Sequence, residues 1–233
     1  MGAVFKREMK SYFTTPIGYI VLLIYVLVAS FAFVEMYQYG VAQISYIFSN
    51  LFLVTLLLVA ILTMRLFSEE RRQKTDQALL TAPVKLWHIV FGKFLAALCV
   101  FLIANVLILV FELVVAGYIT PDWLSYISSL MGTVLMVSAL IAIGVFISSL
   151  TESQIMAAIC TMGVSVFLMM IDYFASIINV SFVTKITGWL SFSGRYNTFL
   201  QGIIDYSNIA FFLSITAVFL FLTVRVLESR RWS

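Results

Sequence analysis

Six stretches of this chain are long and apolar enough to cross a lipid bilayer, and nothing else in the sequence constrains its fold as strongly. A helix rises about 1.5 Å per residue and a hydrocarbon core is about 30 Å thick, so a span needs about 20 mostly apolar residues. Residues 17–37, 46–66, 93–117, 126–150, 155–177 and 207–227 meet that requirement. Only 11% of the side chains are charged, against about 25% in soluble domains. A water-soluble fold could not cover its surface with so little polarity. The expected fold is therefore an all-α integral membrane protein, one domain over 1–233 with six transmembrane helices. Lys6, Arg7 and Lys10 precede the first span as they would a signal peptide. Its apolar run is long for a signal sequence and Glu35 lies just beyond it, so it is read as a retained span.

Orientation follows from the basic residues. Of the 14 Lys and Arg, 12 lie on the side that carries the termini and the loop between spans two and three. The other side has only Lys185 and Arg195. Both termini are therefore expected in the cytoplasm. Residues 1–16 place Val4, Phe5, Met9, Tyr12 and Phe13 against Lys6, Arg7, Glu8 and Lys10 at helical spacing. This reads as an amphipathic helix in the membrane interface that turns at Pro16 into span one, with Phe5, Lys6, Arg7 and Lys10 as its contact residues. On the opposite side, 178–206 mixes Trp189, Phe192, Tyr196 and Phe199 with glycines. It is too polar to span and too aromatic for a plain loop, and is read as short outer helices, with Ser193 a candidate cap.

The loop 67–92 holds a charge run of mixed sign: Glu69, Glu70, Arg71, Arg72, Lys74 and Asp76. Topology alone needs only a few Lys or Arg. Beyond Asp76 the chain turns apolar at Leu79 and Leu80 without spanning, then meets Pro83. A compact elbow with a charged side and an apolar side suits docking to a partner protein; an inert solvated loop is the bland alternative.

The run Glu69-Glu70-Arg71-Arg72-Gln73-Lys74-Thr75-Asp76-Gln77-Ala78-Leu79-Leu80-Thr81-Ala82-Pro83-Val84, followed by Gly92-Lys93, resembles the signature of type-2 ABC exporter permeases. Asp76-Gln77 stands where many members have Leu-Glu. That variant, with the ending Leu222-Thr223-Val224-Arg225-Val226-Leu227-Glu228, is similar to the gliding-motility-type branch. The resemblance implies a permease subunit of the bacterial inner membrane that binds no cofactor. A separate cytosolic ATP-binding cassette protein would use ATP and Mg, docking on a coupling helix built from Glu69, Glu70, Arg71, Arg72, Lys74, Thr75, Asp76, Leu79, Leu80 and Pro83. Thr151, Glu152 and Ser153 would make a second, smaller contact. It also implies a dimer with an identical or paralogous half, and branch members can carry a further membrane-bound or extracytoplasmic subunit. The substrate is not legible.

The residues fit a non-catalytic subunit. No G-x-x-x-x-G-K-[ST] motif occurs. The single His88 builds neither a metal site nor an intramembrane catalytic pair, and Cys99 and Cys160 sit in apolar runs as packing residues. Nothing points to nucleic acid. Two other readings stay open: a membrane anchor or assembly subunit that moves nothing itself, and an ATP-independent channel or secondary transporter. Within or at the ends of the spans, Glu35, Glu112 and Asp172 are either functional acids or carboxylates reaching water or a partner such as Lys185 or Arg195. Asn105 must find an interhelical hydrogen bond or a wet cavity. The pairs Ser128 with Gly132 and Gly144 with Ser148 permit close helix approach, inside one subunit or at a dimer seam.

Overall fold

The computed structural model describes residues 1–40, 43–75, 85–117, 122–178, 188 and 191–231. Among the described residues the chain forms nine helices: α1 (Gly2–Thr14), α2 (Pro16–Gln38), α3 (Ser45–Thr63), α4 (Ser68–Arg72), α5 (Leu86–Ala116), α6 (Trp123–Leu150), α7 (Gln154–Ile178), α8 (Phe192–Leu200) and α9 (Tyr206–Arg231). The helices α2, α3, α5, α6, α7 and α9 are long and apolar enough to cross a membrane. The expected site residues Asp76, Leu79, Leu80 and Pro83, with Lys185 and Trp189, lie outside the described residues.

Helix α6 is the centre of the bundle. It packs against α3, α5, α7, α8 and α9. In its most apolar window 72% of the residues are buried, against 22% in α7, which is left to face lipid or a partner. Small residues bring the backbones together there. Gly144 lies under Thr63 of α3 and Gly132 under Phe199 of α8, and at either position a Cβ would collide with that side chain. Ser128 Oγ donates to the Phe199 carbonyl at 2.8 Å, and Ser148 is bonded within the subunit as described below. All four small residues are therefore used inside the subunit.

Helix α1 turns Val4, Phe5, Met9, Tyr12 and Phe13 toward the bundle and leaves Lys6, Arg7 and Lys10 exposed. It crosses α5 at Gly92, where a Cβ would come within 3.0 Å of Val4 Cβ. Pro16 then takes the first turn of α2, where a missing N–H leaves no bond unmade. Helix α5 starts earlier than its apolar run indicated. Residues 86–92, expected in the elbow, are its first two turns, because Leu86, Ile89 and Val90 are buried against the bundle and hold the helical register.

Helix α8 is seated in the bundle by its aromatic side. Phe192, Tyr196 and Phe199 are all buried, and the Tyr196 hydroxyl lies 3.0 Å from Thr133 Oγ1 and 3.3 Å from the Phe48 carbonyl. Its cap is Ser191 and not Ser193. The Ser191 hydroxyl accepts the Gly194 N–H at 2.9 Å, whereas Ser193 already lies within the first turn.

Candidate functional site

The charged segment is folded at both of its ends by identifiable bonds. Helix α3 stops at Thr63, and α4 begins five residues later. The first N–H groups of a helix have no partner within it. Here Ser148, near the end of α6, takes up two at this junction: its Oγ accepts from Phe67 N at 3.1 Å and Ser68 N at 3.2 Å, and donates to the Met64 carbonyl at 3.2 Å. At the other end Lys74 has φ +56, the left-handed conformation. The Thr75 N–H reaches the Glu70 carbonyl at 2.9 Å and the Lys74 N–H the Arg71 carbonyl at 3.0 Å. This is a Schellman closure. A lysine there costs about 1–2 kcal/mol relative to the right-handed region, and it aims the chain after α4 away from the helix axis.

Between those ends the charges turn inward. Lys93 of α5 is only 1% exposed, and each of its three ammonium N–H groups has an acceptor. These are Glu8 Oε1 of α1 at 3.0 Å, Glu70 Oε1 of α4 at 3.0 Å, and the Leu66 carbonyl at 2.6 Å. The Phe67 ring lies over the same ammonium, 5.1 Å from its centroid. Arg7 closes the group from the water side, 2.6 Å from Glu8 and 2.5 Å from Glu70. Two cations and two carboxylates thus cancel at the meeting of α1, α4 and α5. Burial alone would push the Glu8 carboxyl up, but Lys93 and Arg7 outweigh it and hold Glu8 below its ordinary 4.5.

Three further ties brace this cluster. Arg65 bonds Thr15 Oγ1 and Ser11 Oγ, both at 3.0 Å, and pairs with Glu69 at 3.1 Å. Below it the Tyr12 hydroxyl donates to the Leu62 carbonyl at 2.7 Å. On the opposite flank Arg71 donates to the Leu150 carbonyl at 2.8 Å and pairs with Glu152 at 2.9 Å. The charged segment is therefore bonded to α1, α5 and the end of α6. Arg72, Gln73, Lys74 and Thr75 remain exposed as a tip.

The expected site residues consequently separate into groups. Glu69, Glu70 and Arg71 bind within the chain, while Arg72, Lys74 and Thr75 stand outward. Glu152 joins the group through Arg71. Thr151 Oγ1 bonds back to the Ile147 carbonyl, and Ser153 Oγ accepts the Met156 N–H at the start of α7. Among the α1 residues Arg7 enters the cluster, Phe5 packs on the core, and Lys6 and Lys10 face outward. Glu8, expected on the polar side of α1, is drawn to the bundle side because Lys93 is there.

The intramembrane polar residues lie apart from this cluster. Asn105 donates to the Phe101 carbonyl at 3.0 Å and accepts from the Tyr25 hydroxyl at 3.1 Å, which supplies an interhelical bond. Asp172 accepts from Ser191 at 2.5 Å. Glu35 is exposed and accepts from Tyr46 at 3.3 Å, and Glu112 is buried on α5. Among the described residues no three His, Cys, Asp or Glu side chains group as metal ligands.

Sequence reasoning did not single out Lys93, Glu8, Arg65 or Ser148 as members of one site. A signal for the first two was present. Lys93 is a lone ammonium within an apolar helix, which requires a partner. Glu8 falls between Val4 and Tyr12 at i, i+4 spacing, on the stripe expected to be apolar. Compared with known protein families, residues 3–232 match the family described as ABC-2 family transporter protein. No curated protein matches the chain.

Proposed function

The chain belongs to the ABC-2 transporter family, and from that premise we propose that it is the membrane half of an ATP-driven exporter, powered by a separate cytosolic cassette ATPase. On this reading the basic end of the bundle faces the cytoplasm of a bacterial inner membrane. The ATPase, which binds ATP and Mg, docks on the exposed tip at Arg72–Thr75 and the apolar residues that follow. Two permease halves, identical or paralogous, complete the unit, with room for a further subunit in the manner of the gliding-motility-type branch.

The observation that carries this reading is the bonding of the charged segment. A partner-docking tip does mechanical work only if the chain behind it is stiff. Here the segment behind the tip is fixed to α1 and α5 through Lys93, Glu8 and Glu70, and to the end of α6 through Arg71 and Ser148. ATPase closure would push the tip, and these bonds would carry the displacement into three helices together.

The test is a mild-detergent purification of the tagged chain from its host, with copurifying proteins identified by mass spectrometry. A stoichiometric ATPase is expected. It should be lost when Arg72 and Lys74 are both changed to Glu, or Leu79 and Leu80 both to Asp. Reversing Glu70 or Arg71 is a poorer test, since both hold the fold together. If no ATPase copurifies where other transporters stay intact, the ATP-independent reading replaces this one.

A further inference from the structure

At the end of the bundle opposite the charged cluster, the start of α3, the start of α6 and the end of α8 enclose an open cleft of about 480 Å³. That volume lies within the range of about 300–1,000 Å³ that small-molecule sites occupy. Most of its described lining side chains carry a polar group. Gln43, Ser45, Ser49, Asn197 and Gln201 line it with Tyr46, Ser125 and Leu200, and none of these described residues is charged. The acids at its rim are already engaged: Tyr46 donates to Glu35 at 3.3 Å and Ser125 to Asp122 at 2.6 Å.

The four amide and hydroxyl side chains Gln43, Ser49, Asn197 and Gln201 make no side-chain hydrogen bond among the described residues. Each amide offers two donors and one acceptor, and the hydroxyl offers both kinds. A concave wall of free, neutral, mixed donors and acceptors restricts its ligand. Among the described lining residues an anion would find no cation. An apolar ligand would strip water from these groups and give nothing back. A peptide needs pockets for its side chains or a strand edge, and apart from Tyr46 the described wall offers only Leu200. A polyhydroxylated neutral group matches, because every hydroxyl both donates and accepts, and the Tyr46 ring can lie against a sugar face.

We propose that this cleft is a carbohydrate-binding site, taking a neutral sugar either free or as the headgroup of a glycolipid. The inference goes beyond the ATP-driven reading and does not depend on it, since binding needs no ATPase.

The experiment is saturation-transfer NMR on the whole chain in phospholipid nanodiscs freed of glycoside detergent. The probes are maltose in solution, a diglucosyl diacylglycerol placed in the nanodisc, and end-blocked trialanine. Saturation transfer to sugar ring protons is expected. It should fall at least about tenfold in Asn197→Ala/Gln201→Ala, which removes two hydrogen-bonding groups, and in Ser49→Asp, which puts a charge on an exposed wall position. Ser214→Ala, an exposed α9 position that is not among the cleft's lining residues, should leave it unchanged. All three positions are exposed, and monodisperse elution confirms that the variants fold. Transfer to both sugars identifies the sugar as sufficient; transfer to the glycolipid alone assigns the site to a headgroup presented by the bilayer. No transfer to either sugar, undiminished transfer in both cleft variants, or stronger transfer to trialanine overturns the proposal.

Discussion

Replacing Lys93 by Met should release α1 from the bundle while leaving the six spans folded. Methionine keeps most of the apolar stem of lysine and removes only the ammonium. That deletes the contacts at 3.0 Å to Glu8, 3.0 Å to Glu70 and 2.6 Å to the Leu66 carbonyl in one step. The carboxylates of Glu8 and Glu70 are then left facing each other at 12% and 17% side-chain exposure, with Arg7 as their shared cation. Removing one partner of a buried ion pair costs about 3–5 kcal/mol, mostly the penalty of the charge left behind. Arg7 is 53% exposed, so its pairs are screened and its removal should cost no more than about 1 kcal/mol.

Hydrogen exchange of the α1 amides in nanodiscs measures this difference. At about 1.4 kcal/mol per tenfold, Lys93→Met should accelerate exchange in the middle of α1 by a few hundred to a few thousand fold, whereas Arg7→Gln should stay within about fivefold. Adding Glu8→Gln to Lys93→Met should recover part of the loss, because one stranded charge disappears with its partner. Unchanged α1 exchange in Lys93→Met, or an equal effect from Arg7→Gln, would refute the argument that Lys93 is the node.

Acid should reach the same bond. The Glu8 carboxyl is held below its ordinary 4.5 in the folded chain, so its stabilising contribution is complete above that value and is lost as pH falls through the lower folded value. The protection of the α1 amides, measured relative to their intrinsic exchange at each pH, should therefore hold steady from pH 8 to about 5 and fall below about 4; a loss of protection between 8 and 6 would exclude Glu8 as its cause. Gly144→Val drives a side chain into Thr63 and should destabilise the bundle by about 1–3 kcal/mol, read as a lowered melting temperature in nanodiscs. The Arg71–Glu152 pair, with Glu152 64% exposed, should give a coupling energy below about 1 kcal/mol in a double-mutant cycle. A larger value would mean that this tie bears more of the fold than its exposure allows.

The spans were legible because bilayer thickness writes itself into run length. Helix ends were less so. Apolar runs mark where a helix meets lipid, whereas α5 continues past its run to Leu86 and α9 to Arg231, held by packing and backbone bonds that hydropathy does not register. The charged segment was recognisable as special, but the direction of its charges was not. A count of Glu and Arg cannot say whether they face a partner or one another. That depends on Lys93, distant in sequence and brought beside Glu70 only when α5 packs on α1 and α4. Ser148 shows the same limit: a small residue at helix spacing reads as a packing surface, yet its hydroxyl organises the turn from Met64 to Ser68.

The mixed signs of the run answer to two tasks that one sign could not serve. Arg72 and Lys74, both basic, can stay solvated at the tip. Glu69, Glu70 and Arg71 each meet an opposite charge from elsewhere in the chain, namely Arg65, Lys93 with Arg7, and Glu152. A hydrophobic latch could hold the same elements at no smaller stability, but apolar contacts are non-directional and tolerate sliding. The ammonium of Lys93 accepts only an arrangement in which three acceptors converge on it. The segment is thereby fixed in register as well as in place, as the coupling role proposed above requires.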